Sequence, residues 1–302
     1  MDWSGVGGKL TDYAIKWMRQ NRPHPFFLFI HYFDVHSDYG ADEAVRRLFV
    51  DPTYTGQIDG GTDQLVAANQ GRLRLTQDDV KHLVDLYDAE IRQLDNHIGR
   101  LLRYLKKSGL ADQTLVVLTS DHGEEFTEHG GVLHGKTMFE EVMAVPLILR
   151  GPGVPVGVRV SSLAQLVDVA PTLLGLLGIK TDAKFDGSDL RSHWKGGGTS
   201  ATQRLAFAEA DSGLAHIGSD RKRMVRGPRF KLIYDRESET CQLYDLTTDP
   251  SESAGDPSKS PEVVRAMMES LQDFMRGTRP SVPFKAPRPA ETQRLRDLGY
   301  IQ

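Results

Sequence analysis

The sequence predicts an α/β protein: a mixed, largely parallel sheet flanked by helices, then a small antiparallel sheet with one helix. Three observations carry this. The runs PFFLFIH (25–31), TLVVLTS (114–120) and VPLIL (145–149) have strand length and are apolar throughout, as strands covered on both faces are. A long helical stripe over 76–107 separates the first two runs, the spacing of an α/β layer. After Gly196-Gly197-Gly198 the pattern changes to short β-type runs. The expected domains are therefore 1–195 and 196–302.

Each element has its local reason. Thr11–Arg19 reads as a short amphipathic helix with Ile15 and Met18 on one side, stopped by Asn21-Arg22-Pro23. Phe26–His31 is the first strand. Residues 37–75 carry glycines and charges without a period and read as a surface excursion, the kind of long loop that shapes a site. Thr76 is placed to cap the next helix, with Asp79 three residues on. Val80, Leu83, Val84, Tyr87, Ile91, Leu94, Ile98, Leu101 and Leu105 then form one apolar stripe. Ser108-Gly109 ends it. Strands follow at 114–119 and 145–149, the latter closed by Gly151-Pro152-Gly153. Asp168 is placed to cap a helix to Leu177, with Gly178 as its stop. LAFAEA, RMVRG, FKLIYD and CQLYDL supply the small sheet, and Val263–Met275 an amphipathic helix. The Pro-rich 280–289 cannot be regular structure.

Composition narrows the function classes. The 302 residues have a net charge of −4 and 39% hydrophobic content, ordinary for a globular chain. No basic footprint points to nucleic acid. The longest apolar runs fall far short of the ~20 residues that span a bilayer. A single cysteine, Cys241, excludes an internal disulfide. The first residues lack the charged-then-apolar pattern of a signal peptide, and the compartment and oligomeric state are left open.

The densest chemistry lies in SDHGEEFTEHGGVLHGKTMFEEV (120–142). Asp121 and His122 come directly after a buried-strand run, where ligand sites of open α/β sheets sit. Glu124, Glu125, His129, His134 and Lys136 follow. This concentration of carboxylates, imidazoles and one lysine points to metal binding or proton transfer.

These stretches resemble the sulfatase family of the alkaline phosphatase superfamily. The resemblance rests on PFFLFIHYFDVHSDYG (25–40), LYDAEIRQLDNHIGRLLRYL (86–105), the 120–153 block, LVDVAPTLLGLLGI (166–179), FDGSDL (185–190), VRGPRFKLIYD (225–235), LYDLTTDPSE (243–252) and LRDLGYI (295–301), in the family's order. It implies an alkaline phosphatase-like fold and hydrolysis of sulfate monoesters of small molecules or glycans, often in periplasmic, secreted or lysosomal proteins. It also implies one divalent metal, calcium in most of the family, with zinc or manganese as the alternative. By resemblance Asp121 and His122 are metal ligands. His36 contacts the sulfate, and His134 or Lys136 binds the anion, both positions staying open. Val35 and Asp38 stand where prolines are usual. His129 reads as a residue that supports the site's ligands or as a loop residue, and Arg226 and Lys231 as structural or at the rim of the cleft.

The family's Cys/Ser-x-Pro-x-Arg nucleophile motif does not occur in the 302 residues. Cys241 lacks the proline and arginine, and Ser281-Val282-Pro283-Phe284-Lys285 ends in lysine. Asp78-Asp79 reads as a helix start, not as the family's Asp-Asp metal pair. No catalytic nucleophile is therefore assigned. The expectation is a sulfatase portion lacking its N-terminal nucleophile segment and inactive by itself. Its rivals are a phosphomonoester, phosphodiester or phosphonate hydrolase of the same superfamily, and a non-catalytic truncated or pseudoenzyme chain.

Overall fold

A computed structural model describes residues 6–194, 204–211 and 221–277. Ser281, the Pro-rich 280–289, LRDLGYI and the triple glycine at 196–198 lie outside the described residues.

Helix α1 (Val6–Asn21) packs on α4 (Gln77–Lys107). It extends past both ends of the expected Thr11–Arg19. Between them lie the short helices α2 (Glu43–Arg46) and α3 (Thr62–Asn69). The 37–75 excursion is thus partly helical, where the sequence offered no period. Helices this short take their stability from packing on neighbours, which a local pattern does not record. Leu65 of α3 is buried in a core with Tyr39, Ile58, Leu83, Leu86, Phe126 and Val132.

Helix α4 starts as its sequence requires. The Thr76 side chain accepts from the Asp79 N–H, and the Asp79 carboxylate accepts from the Thr76 N–H at 2.8 Å, a full capping box. Gly109, at φ +75°, takes the left-handed position after the last turn. The buried face differs from the apolar stripe. Ile91 is exposed, while Glu90 and Gln93 are buried. The reason is local: the 38–42 segment lies on that face and needs acceptors. Gly40 N–H donates to Glu90 Oε1 at 3.2 Å and Asp42 N–H to Gln93 Oε1 at 2.7 Å.

Strand β1 (Val116–Thr119) pairs antiparallel with β4 (Leu147–Arg150), and a two-residue hairpin, β2 (Glu125–Phe126) with β3 (Val132–Leu133), stands between them, before helix α5 (Glu140–Met143). Among the described residues every ladder is antiparallel. Phe26–His31, expected as a strand, is extended backbone without a ladder. A ladder needs a neighbour's N–H and C=O groups, and the described residues bring none alongside. Its apolar side chains alternate in exposure, Phe27 at 80% and Phe29 at 76%.

Helix α6 (Val169–Leu177) ends at Gly178, φ +66°, as expected. Asp168 is not its side-chain cap. The fully buried carboxylate accepts from the N–H groups of Gln165 (2.7 Å) and Ser188 (2.8 Å) and pairs with Arg204. It ties the FDGSDL block to the helix start. A Cβ on Gly187 would lie 2.0 Å from Val167 O, so only glycine allows this approach. Helix α7 (Arg191–Trp194) follows.

The four β-type runs form one antiparallel sheet in the order β5 (Ala206–Asp211), β6 (Arg221–Arg226), β7 (Phe230–Asp235), β8 (Thr240–Asp245). Helix α8 (Pro261–Gly277) covers one face through Met267 and Leu271, which pack with Val225, Leu232 and Leu243. The opposite face packs on the first part of the chain through Met138, Met224, Ile233 and Tyr244.

Candidate active site

The site is built where β1 ends. Gly123 N–H donates to Val142 O at 2.8 Å and Glu124 N–H to Glu141 O at 3.1 Å, stapling the turn after β1 to α5. A Cβ on Gly123 would lie 2.1 Å from Glu141 O, so glycine is required at this crossing. The turn leaves Asp121 mostly exposed and His122 half-buried.

Two of the imidazoles have readable tautomers. His122 Nδ1 lies 2.8 Å from Gly123 O, and His134 Nδ1 lies 2.9 Å from Glu124 Oε1. In each case Nδ1 must carry a proton to donate, so Nε2 is the nitrogen left for another partner. His122 Nε2 stands 3.8 Å from Asp121 Oδ1. That is too long for a hydrogen bond but within the separation of two ligands sharing one ion at about 2.0–2.4 Å each. This donor set fits a divalent cation.

The rings converge. His122 and His134 stack with centroids 3.8 Å apart, and His36 meets His134 edge-on at 5.2 Å. His36 also stacks on Phe33 at 4.4 Å, and Ser37 Oγ lies 3.1 Å from its Nδ1. Burial first, and then the His134 imidazole, pull the His36 pKa below the ordinary histidine value. The structure thus brings His36, Asp121, His122 and His134 to one place. Lys136 lies on the same loop, half-buried, without a hydrogen bond or ion pair to the described residues.

Support for these side chains comes from Glu124 and from two residues the sequence left without a role, Tyr39 and Glu90. Glu124 is buried and accepts from Tyr39 Oη at 3.1 Å as well as from His134. Tyr39 is in turn buried, and burial followed by the Glu124 charge pushes its phenol pKa far up. Glu90 holds the His36 loop through the Gly40 N–H. Burial is the main cause that raises its carboxyl pKa to about 8. A glutamate on a helix reads as solvated from sequence; only the helix face on which the 38–42 backbone lies reveals it.

Arg226 and Lys231 have structural surroundings. Lys231 is fully buried, its Nζ 3.1 Å from Glu140 and 2.9 Å from Glu252. Arg226 Nε also reaches Glu140, at 3.1 Å. Asp78 and Asp79 stand at the start of α4, as a capping role requires.

A second group of ligand-type atoms, on Glu125, His129 and Glu141, lies within 4.8 Å of one another. Its hydrogen bonds argue against a metal there. Glu125 Oε1 accepts from Gly131 N–H at 2.9 Å and Oε2 from Thr137 Oγ1 at 3.0 Å. Both nitrogens of His129 already face oxygen acceptors. A ligating histidine needs a bare nitrogen.

Comparison with known proteins matches the sulfatase family model to residues 8–179 and the N-sulphoglucosamine sulphohydrolase C-terminal model to residues 127–277. Arylsulfatase K of Bos taurus is 28% identical over 208 residues, 67% of this chain and 38% of the relative. N-acetylglucosamine-6-O-sulfatase of Bacteroides thetaiotaomicron is 32% identical over 170 residues, 55% of this chain and 30% of the relative. The chain therefore spans about two fifths or less of these relatives' length. A solved structure in complex with its substrate D-glucosamine-2-N,6-O-disulfate superposes with a TM-score of 0.71 at 20% identity, covering 89% of this chain and 69% of that one. A phosphonate monoester hydrolase from Silicibacter pomeroyi superposes at 0.68 with 21% identity, covering 93% of this chain and 62% of that one. These likenesses establish the alkaline phosphatase-like α/β fold.

Proposed function

The chain belongs to the sulfatase family, and from that premise we propose that it is the part of a sulfate monoester hydrolase that supplies the anion-binding side chains and part of the metal shell. The observation that carries this is the convergence of His36, His122 and His134 beside Asp121. Asp121 Oδ1 and His122 Nε2 would hold one divalent ion, calcium as the sulfatase resemblance implies, with zinc or manganese as the alternative, to which an imidazole ligand is better suited than to calcium. The ion would neutralise charge on the ester's oxygens. His36 through a ring N–H, and His134 through Nε2 when that nitrogen carries a proton, would donate to the anion, and Lys136 would supply a compact positive charge. A sulfated glycan is the substrate class, in keeping with the glucosamine disulfate of the superposed structure.

The division into an α/β part over 1–195 and a C-terminal part over 196–302 belongs to the same reading. It is supported by the separate core of the four-stranded sheet with α8. The 302 residues hold no Cys/Ser-x-Pro-x-Arg sequence, so a nucleophile must come from elsewhere for turnover.

The test uses imidazole NMR on this chain. Calcium should perturb His122, and inorganic sulfate added next should perturb His36 and His134. Resonances that stay unmoved by both would overturn the site. An aryl sulfate with calcium should not be hydrolysed by the chain alone. Hydrolysis abolished by Asp121→Ala would show that the chain carries its own nucleophile, against this reading.

A further inference from the structure

His129 lies outside the proposed site, in the hairpin that leads to His134 and Lys136. Its Nδ1 is 2.6 Å from Glu141 Oε1 on α5. Its Nε2 is 3.2 Å from both the Ser251 and the Glu252 carbonyl oxygens, in the loop after β8. Its ring stacks on Phe139 with centroids 3.5 Å apart and planes 10° off parallel. Every polar atom it meets is an acceptor. A neutral imidazole has one N–H and one lone pair, so either tautomer would press a lone pair against oxygen. Only the imidazolium, with two N–H groups, satisfies both sides.

We propose that His129 is a positioning residue held as an imidazolium, a cationic pin that fastens the hairpin carrying His134 and Lys136 to the C-terminal sheet region and lets go when it loses its proton. The charged groups around it agree. The Glu125 carboxylate on β2 accepts from the His129 backbone N–H at 3.3 Å, Glu141 faces the ring from α5, and the loop after β8 brings the Asp249 charge and the Glu252 carbonyl oxygen. The cation facing this region, Lys231, is committed to Glu140 and Glu252. Burial works against the charged ring, but these acceptors outweigh it and raise its pKa.

The pin and its effect on the site are separable. The first is a property of His129 itself; the second rests on the sulfatase reading. Deprotonation would remove the Nδ1 or the Nε2 hydrogen bond, loosening either α5 or the 251–252 loop. The hairpin would then be tied to the C-terminal region chiefly through Glu140, Lys231 and Glu252.

The experiment is ¹⁵N NMR of the histidine rings in the full chain, with His129→Gln to assign the resonance. His129 should titrate with a midpoint above the 6.5 of a free imidazole, both ring nitrogens being protonated below that midpoint. A midpoint at or below 6.5 would overturn the proposal. Amide exchange over residues 125–143, corrected for its intrinsic pH dependence, should accelerate about tenfold once pH passes that midpoint, from the loss of a charge-assisted hydrogen bond. It should already be fast, and indifferent to that pH change, in His129→Gln. Equal pH dependence in both proteins would remove the pin. Zinc added to the wild-type chain should leave His129 unmoved. Deprotonation of His129 on zinc binding would make it a ligand instead. None of these readouts requires turnover, so they stand or fall apart from the sulfatase activity.

Discussion

The rings of His122 and His134 stack at 3.8 Å with planes 27° apart, each with Nδ1 tied to an acceptor. One side chain comes from the turn after β1 and the other from beyond the β2–β3 hairpin. Their contact is held by Glu124, which binds His134 on one oxygen and Tyr39 on the other. The arrangement fixes both the position and the tautomer of the side chains proposed for metal and anion.

His134→Phe should keep the ring contact and lose the hydrogen bond, leaving Glu124 buried with Tyr39 as its remaining side-chain partner. The expected loss is about 1–3 kcal/mol of stability, the cost of a buried polar group deprived of a partner. Urea unfolding measures it. His134→Gln, which can still donate to Glu124, should lose less; an equal loss in both would mean that packing, not the hydrogen bond, holds His134.

Gly123→Ala should disturb the turn that presents Asp121 and His122. The new Cβ would sit 2.1 Å from a backbone oxygen of α5, so the backbone rather than a side chain has to move. Calcium perturbation of the His122 resonance should weaken or vanish while the four-stranded sheet keeps its far-ultraviolet signature. An unchanged calcium response would show that the turn tolerates the shift.

Glu90→Gln should change how stability depends on pH. The folded-state pKa of Glu90 is about 8 against an ordinary 4.5. Stability is therefore undiminished below about 4.5 and falls as pH rises through about 8, because the folded state must release a proton it holds more tightly than the unfolded state. Gln keeps an acceptor for the Gly40 N–H and cannot ionise. At pH 9 the variant should be the more stable protein, by an amount on the order of a few kcal/mol. Thermal melts at pH 5 and pH 9 should diverge for wild type and run closer for the variant; parallel curves would exclude a titrating Glu90.

Lys231→Met should be among the most damaging single changes. It leaves Glu252, whose side chain is 1% exposed, and Glu140 without their buried cation. Breaking a buried pair on one side costs about 3–5 kcal/mol. Lys231→Met combined with Glu252→Leu should recover part of that loss, since no lone charge remains at the Glu252 position. A double variant as unstable as the single one would argue that shape, not charge, is decisive here.

Thr76→Ala should cost about 0.5–2 kcal/mol through the lost cap of α4, and Thr76→Ser much less. The same measurement separates two roles for the neighbouring carboxylates. Asp79→Ala should lower the melting temperature and leave the calcium response of His122 untouched. A lost calcium response would return Asp78-Asp79 to the metal shell.

The sequence by itself determined the elements whose signals are local. Thr76 and Asp79 show the start of α4, Gly109 and Gly178 the ends of two helices, and the short β-type runs FKLIYD and CQLYDL part of the C-terminal sheet. The sulfatase motif around Asp121 and His122 is likewise contiguous, so the family could be read from it. Tertiary structure alone decided which faces are buried and which side chains meet. Glu90 and Gln93 are buried, and Ile91 is not, because the backbone of 38–42 needs acceptors at that face of α4. Phe26–His31 has the composition of a strand, yet a ladder requires a neighbour that composition does not specify. His129 is an imidazolium pin only because oxygens from α5 and from the loop after β8 face its two nitrogens. A protonation state is set by what surrounds a group in space, and that environment comes from parts of the chain that lie far apart in sequence.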